Sequence, residues 1–125
     1  MRNIRLSHLK DCLVFFDFDN TITPFDVLDD IIKHFSVNKD WQALESSWQK
    51  GKISSRECLE GQLRSVRISR SNLLRYLSRI KVDPHVRKLF NLLIREGIRP
   101  VVLSDSFTFI IKTILQPILE RFYLT

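Results

Sequence analysis

Two aspartates one residue apart, Asp17 and Asp19, stand directly after the apolar run Leu13-Val14-Phe15-Phe16. Asn20, Thr21, Ile22 and Thr23 follow them. In an extended backbone, residues two apart point to the same side, so both carboxylates share a face. Two acids so placed repel unless a cation lies between them or one keeps a proton. Both solutions are chemically useful. Hard carboxylate oxygens suit Mg2+, which is usually held by one or two carboxylates plus substrate phosphate. A carboxylate can also attack phosphorus and form an aspartyl phosphate. Its neighbour can then protonate the leaving alkoxide and later deprotonate water. A second polar cluster, Ser104-Asp105-Ser106, follows the run Val101-Val102-Leu103. Thr21 and Ser104 offer hydroxyls to phosphoryl oxygens. The bland alternative is that Asp17 merely caps a helix or holds a loop, as acids after strands often do.

The elements that must position these groups are legible from periodicity. Leu13 to Phe16 is short, continuous and β-favouring, which predicts a parallel strand buried on both faces. Val101 to Leu103 predicts a second, with Pro100 at its entrance. Between them the pattern is helical. Leu28, Ile31, Ile32 and Phe35 fall on one helix face, and Trp41 and Trp48 are seven apart on another. The tryptophans are expected to be core. Ser54 and Glu57 form a capping-box signature before Leu59, Leu63 and Val66. Ser71 is the expected cap of a helix carrying Leu74, Leu77 and Ile80. Asp83 and Pro84 predict the start of a helix whose buried stripe is Val86, Leu89, Phe90 and Leu93, with Gly97 as its stop. Phe107, Ile110, Ile111 and Ile114 predict a last helix, ended by Pro117.

A parallel crossover needs one helix, and here four or five intervene. The surplus reads as an insertion. The expected fold is α/β: an incomplete Rossmann-like parallel sheet core (residues 1–24 and 81–125) with an inserted helical cap (residues 25–80). Ligands of such open sheets bind beyond the carboxyl ends of the strands, where both polar clusters fall.

The chain has 125 residues and is 44% hydrophobic, enough for a core without disulfides. Cys12 and Cys58 form no metal or redox spacing and read as packing residues in a reducing compartment. His8, His34 and His85 are scattered, with no zinc spacing. No apolar stretch is long enough to span a membrane. The N-terminal charges before Leu13 lack a following small-residue cleavage site, so a cytoplasmic location is expected. The net charge of +6, with many arginines between Arg64 and Arg99, attracts anions. Without interleaved exposed aromatics or a recognisable motif, it reads as a solvated helix face, and no nucleic-acid partner is expected. Arg56, Arg64 and Arg67 read the same way.

The segment Asp17-Phe18-Asp19-Asn20-Thr21 resembles motif I of the haloacid dehalogenase (HAD) superfamily, D-x-D-x-[TV]. Val101-Val102-Leu103-Ser104 resembles its motif II, and the inserted helices resemble its C1-type cap. Within the superfamily the chain looks most like the phosphoserine phosphatase group. It is similar in particular to the branch acting on 2-hydroxy-3-keto-5-methylthiopentenyl-1-phosphate, through D-F-D-x-T-I-T, Trp48-x-x-Gly51-x-Ile53-Ser54 and Ser104-Asp105-x-Phe107. The resemblance implies a magnesium-dependent phosphomonoesterase of small phosphorylated metabolites. Asp17 would be the nucleophile and a metal ligand. Asp19 would be the general acid/base and hold the metal through its carbonyl. Thr21, Ser104, Asp105 and Ser106 would line the phosphate, helped by the start of the Phe107 helix.

Two features depart from that pattern. Relatives often have glycine where Ser106 stands, because backbone passes close to phosphate there. The family also uses a lysine and acids downstream of motif II. Lys112 is too near motif II to be that lysine, and Glu120 is the one acid after Asp105. Phe122-Tyr123-Leu124 reads as the edge of a third strand. The expectation is therefore the front part of a longer phosphatase, weakly active or inactive alone. The alternative is a non-catalytic remnant of the fold that binds a phosphorylated ligand or a protein partner.

Overall fold

The computed structural model describes residues 11–119. The element order is β1 (Val14–Asp17), an irregular turn (Phe18–Ile22), α1 (Val27–Phe35), α2 (Asp40–Gln49), α3 (Ser55–Leu63), α4 (Arg70–Ser78), α5 (Pro84–Arg95), β2 (Pro100–Leu103) and α6 (Thr108–Leu119). The chain divides into two compact units. The first holds the described residues up to Phe25 and those from Tyr76 onward, and the second is Asp26–Arg75.

In the first unit, β1 and β2 pair in parallel, with Val14 opposite Pro100 and Asp17 opposite Leu103. Pro100 is tolerated because it opens the strand. One side of β1 is fixed by Phe16, 7% exposed, whose ring lies 4.5 Å from that of Phe90 on α5. On the other side the described residues leave Phe15 55% exposed and Leu103 58%. The expectation of strands buried on both faces is thus corrected. A continuous apolar run reports composition, not how many layers pack on it.

Helix α5 forms as its ends dictate. The Asp83 side chain accepts from the His85 N–H at 2.8 Å, and Pro84 occupies the first turn, where a missing N–H costs nothing. At the other end Gly97 takes φ +74°, a left-handed conformation that glycine adopts without steric cost. The Ile98 N–H then reaches Leu93 O (2.8 Å) and the Gly97 N–H reaches Ile94 O (3.1 Å), the double closure of a Schellman stop. Of the expected stripe, Phe90 and Leu93 are buried, whereas Leu89 is 41% exposed and Ile98 joins the core instead. Helix α6 buries Ile110, Ile114, Leu115 and Ile118. It continues through Pro117 to Leu119 rather than stopping at the proline. A proline at this point removes the bond to one carbonyl a turn earlier, and that does not end a helix already built.

In the second unit, α2 and α3 lie close. A Cβ on Gly61 would come within 2.9 Å of Leu44 Cδ1, so the end of the Leu44 side chain would have to shift to admit one. Gln62, 8% exposed, donates from Nε2 to Trp41 O at 3.1 Å. The capping box at the start of α3 is complete, Ser54 Oγ accepting from the Glu57 N–H and the Glu57 carboxylate from the Ser54 N–H. Two expectations fail here. Trp48 is 45% exposed and Trp41 half-buried, so neither is core. Their polar handles explain why: Trp48 Nε1 donates to Ser55 Oγ at 2.9 Å, and Trp41 lies under Lys33, 5.8 Å away. Helix α4 begins at Arg70, one residue before the expected cap, and Ser69 Oγ, not Ser71, accepts the Asn72 N–H. Cys58 is buried as expected, but Cys12 is exposed. Burial also pushes the Cys58 thiol pKa up, with Glu45 adding to the rise, which keeps it protonated and inert.

Candidate active site

The sheet decides where the candidate groups lie. Because Asp17 is in register with Leu103, the segments that follow β1 and β2 leave the sheet at the same edge. Paired strands run about 4.8 Å apart, so the two segments start as neighbours. Asp17, Asp19 and Thr21 belong to the first segment. Ser104, Asp105 and Ser106 belong to the second.

The first segment is built on buried posts. Phe18 and Ile22 are 0% exposed and Thr23 1%, whereas Asn20 and Thr21 are exposed and Asp19 half-buried. Apolar side chains therefore pull both ends of the turn into the core and leave its polar crest outside. Asp17, exposed, accepts the Phe18 N–H on Oδ1 at 2.9 Å, which starts the turn. The backbone then leaves helical geometry at Asp19 (φ −68°, ψ 134°) and Asn20 (φ 62°, ψ 6°). Asparagine is among the few residues that visit the left-handed region routinely. The Thr23 N–H closes the turn on Phe18 O at 3.1 Å, and Ile22 O accepts from the Asp83 N–H at 3.1 Å, tying the turn to the cap of α5.

The second segment is shorter and looser. Ser104 Oγ accepts the Ser106 N–H at 3.0 Å. A hydroxyl that accepts keeps its own proton to donate, so Ser104 remains able to bond an anion. Ser106 Oγ is buried with no hydrogen-bond partner among the described residues. Asp105 is exposed. Helix α6 begins at Thr108, two residues after Ser106, so the positive end of its dipole lies directly downstream of this segment. Lys112 is exposed on α6. Glu120 and the segment Phe122-Tyr123-Leu124 lie outside the described residues.

Asp17 and Asp19 supply hard oxygen donors. Among the described residues, no group of three or more His, Cys, Asp or Glu side chains is placed to share a metal. A two-carboxylate set suits Mg2+, which keeps several waters and takes the rest of its shell from phosphate. It does not suit a structural zinc, which needs four protein ligands.

Sequence reasoning missed two residues of this turn. Thr23 is its buried closure, and Asn20 its left-handed corner. The signal for Asn20 was present in its residue type. Thr23 stands in the D-F-D-x-T-I-T segment, but its residue type does not reveal that it is buried.

In open α/β sheets ligands bind beyond the carboxyl ends of the strands, and the two acids and the serine-rich segment both follow such ends here. The chain is a member of the haloacid dehalogenase-like hydrolase family, whose pattern matches residues 14–122. It is 28% identical over 98 residues to a phosphoserine phosphatase of Archaeoglobus fulgidus, covering 78% of this chain and 28% of the relative. It is also 28% identical over 118 residues to Pdp3-interacting factor 1 of Schizosaccharomyces pombe, covering 93% of this chain and 52% of the relative. A HAD family hydrolase from Salmonella enterica serovar Typhi shares the fold with a TM-score of 0.68 at 14% identity, over 88% of this chain and 37% of that one. The chain thus spans about half or less of the length of these relatives. Among the described residues, no helix is long and apolar enough to cross a membrane.

Proposed function

We propose that the chain carries the nucleophile and acid/base of a phosphomonoesterase acting on small phosphorylated metabolites. The observation that carries this reading is the turn after β1, which holds Asp17 and Asp19 at the sheet edge shared with Ser104. The membership in a hydrolase family and the likeness to a phosphoserine phosphatase support it.

In this reading the Asp17 carboxylate attacks phosphorus while the ester P–O bond breaks. Asp19 gives its proton to the departing alkoxide. An aspartyl phosphate remains. Asp19 then takes a proton from water, which attacks phosphorus, releases inorganic phosphate and restores the Asp17 carboxylate. Thr21, Ser104, Asp105 and Ser106 form the phosphate-binding side, with the Ser104 proton donated to a phosphoryl oxygen. The Asp17 carboxylate and the Asp19 carbonyl would hold Mg2+. When bound, it neutralises charge on the phosphoryl oxygens.

We also take residues 25–80 as the cap that selects the substrate, and the cytoplasm as the location. The share of its relatives that the chain covers supports reading these 125 residues as the front part of a longer phosphatase. Within the family, the Trp48 to Ser54 segment favours the branch acting on 2-hydroxy-3-keto-5-methylthiopentenyl-1-phosphate.

The test is hydrolysis of p-nitrophenyl phosphate with and without Mg2+, by this chain and by a version extended past Thr125. Hydrolysis should require Mg2+. Asp17→Asn should lower kcat by on the order of a thousandfold or more, the scale on which loss of a covalent nucleophile slows an enzyme. Turnover that survives Asp17→Asn would remove the proposal. A phosphorylated ligand that binds without turnover in the extended version would favour the non-catalytic alternative.

A further inference from the structure

We propose that Thr23 is a positioning residue for this site: its buried hydroxyl and N–H fasten the turn that presents Asp19, without reaching the substrate. The inference rests on the phosphoryl-transfer reading of the turn, but its main test does not require turnover.

Thr23 is 1% exposed, so its hydroxyl must find a partner inside the protein. It has two within reach. Oγ1 lies 2.7 Å from Phe25 O and 3.3 Å from Phe18 O. A hydroxyl has one proton, and the shorter contact claims it, so Thr23 donates to Phe25 O. Its backbone N–H meanwhile donates to Phe18 O at 3.1 Å. One residue therefore grips the turn at its start, through Phe18, and the outgoing chain, through Phe25.

The four residues enclosed between Phe18 and Thr23 are Asp19, Asn20, Thr21 and Ile22. Asp19 and Asn20 depart from helical geometry, so the chain bends between the two ends of the turn. The two ends of the turn are both anchored. Ile22 is fixed by burial and by the bond from the Asp83 N–H, and Phe18 by burial and by Asp17 Oδ1. Thr23 is the link that joins these posts. Threonine also suits the role because its β-branch restricts χ1 and so aims the hydroxyl. Valine has the same shape without the donor. It would leave the core filled and remove only the grip on the outgoing chain, letting the closing end of the turn drift with it. Small displacements of a ligand or catalytic group carry large functional costs.

The experiment compares the 125-residue chain with Thr23→Val and Thr23→Ser. The first readout is Mg2+ affinity, from titration of the Phe18 and Asp19 backbone amide signals by NMR, at a temperature where circular dichroism finds each protein folded. Thr23→Val should weaken Mg2+ binding fivefold or more. Thr23→Ser, which keeps the hydroxyl, should stay within twofold. The second readout is p-nitrophenyl phosphate hydrolysis, where Thr23→Val should lower kcat tenfold or more with KM within twofold. Unchanged Mg2+ affinity in a folded Thr23→Val overturns the proposal. So does a folded Thr23→Ser variant that weakens Mg2+ binding fivefold or more, because packing would then be the cause; this arm stands even if Thr23→Val fails to fold. A wild type that binds Mg2+ but never hydrolyses the ester defeats the phosphatase reading and leaves Thr23 judged on affinity. A wild type that takes up no Mg2+ at the turn defeats both.

Discussion

The two segments that leave the sheet edge are held in opposite ways. The one after β1 is bolted down: three side chains with 1% exposure or less, and backbone bonds to Phe18 O and from Asp83. The one after β2 shows, among the described residues, the bond from the Ser106 N–H to Ser104 Oγ, a buried Ser106 hydroxyl without a partner and a half-exposed Phe107. The difference matches the tasks proposed for them. A nucleophile and an acid/base must be aimed before the substrate arrives, since misalignment costs rate directly. A phosphate-binding loop can complete its hydrogen bonds with the anion itself. The lesson is that rigidity at a site is distributed by role, and that apolar side chains inside a polar motif are what supply it.

The largest test of that contrast is Phe18→Ala. Removing a fully buried phenyl from the post of the first turn should cost about 3–5 kcal/mol of stability, read from urea or thermal unfolding. Phe107→Ala in the second segment, where the ring is 47% exposed, should cost far less. Similar losses at both positions would erase the distinction. Next in size is the corner at Asn20. Asn20→Val forces a β-branched residue to φ 62° and should cost about 1–2 kcal/mol, whereas Asn20→Gly should be tolerated. Equal behaviour of the two variants would mean that the left-handed corner is not what shapes the crest.

Much of this was readable in advance, and the failures have physical causes. The strands, the capping box of Ser54 and Glu57, and the Asp83-Pro84 start and Gly97 stop of α5 are local devices. Each depends on a few consecutive residues, so the sequence displays them. Asp17, Asp19 and Ser104 were likewise marked by type and position at strand ends. Burial was harder. Trp48 and Leu89 sit on apolar stripes yet remain exposed, because a stripe says which face is apolar and not what covers it. Phe15 failed for the same reason. Thr23 failed in the opposite sense. A polar residue buried by its hydrogen bonds to Phe18 and Phe25 is defined by the folded turn, and nothing in its neighbours announces that.

A third variant separates stability from binding in the second segment. Ser106 Oγ is buried without a partner, which costs free energy unless a ligand completes it. Ser106→Ala should therefore raise stability by up to about 1 kcal/mol while weakening affinity for inorganic phosphate. In the first turn no such gain is available at Thr23, whose buried hydroxyl already has partners. A Ser106→Ala variant that is destabilised would show that the hydroxyl already has a role in the unliganded fold.

The smallest effect is set by pH and reaches one segment only. The Asp83 carboxyl is held below its usual range, chiefly because it accepts the His85 backbone N–H at the start of α5. A carboxylate depressed in the folded state stabilises the fold at pH above its unfolded value, about 3.9. That contribution is lost as pH falls through the lower folded value. Since the Asp83 N–H also anchors Ile22 O, acid should loosen the cap of α5 and the turn after β1 together. The segment after β2 has no bond to Asp83 among those described and should not follow. Hydrogen exchange between pH 5 and pH 2.5, corrected for its intrinsic pH dependence, checks this: protection at Asp83 and Thr23 should fall in step, with Ser106 unmoved. In Asp83→Asn, which still caps but does not titrate, the step should vanish. If Ser106 loosens with the others, the two segments open as one unit, and the separate fastening argued for the Asp17 turn is wrong.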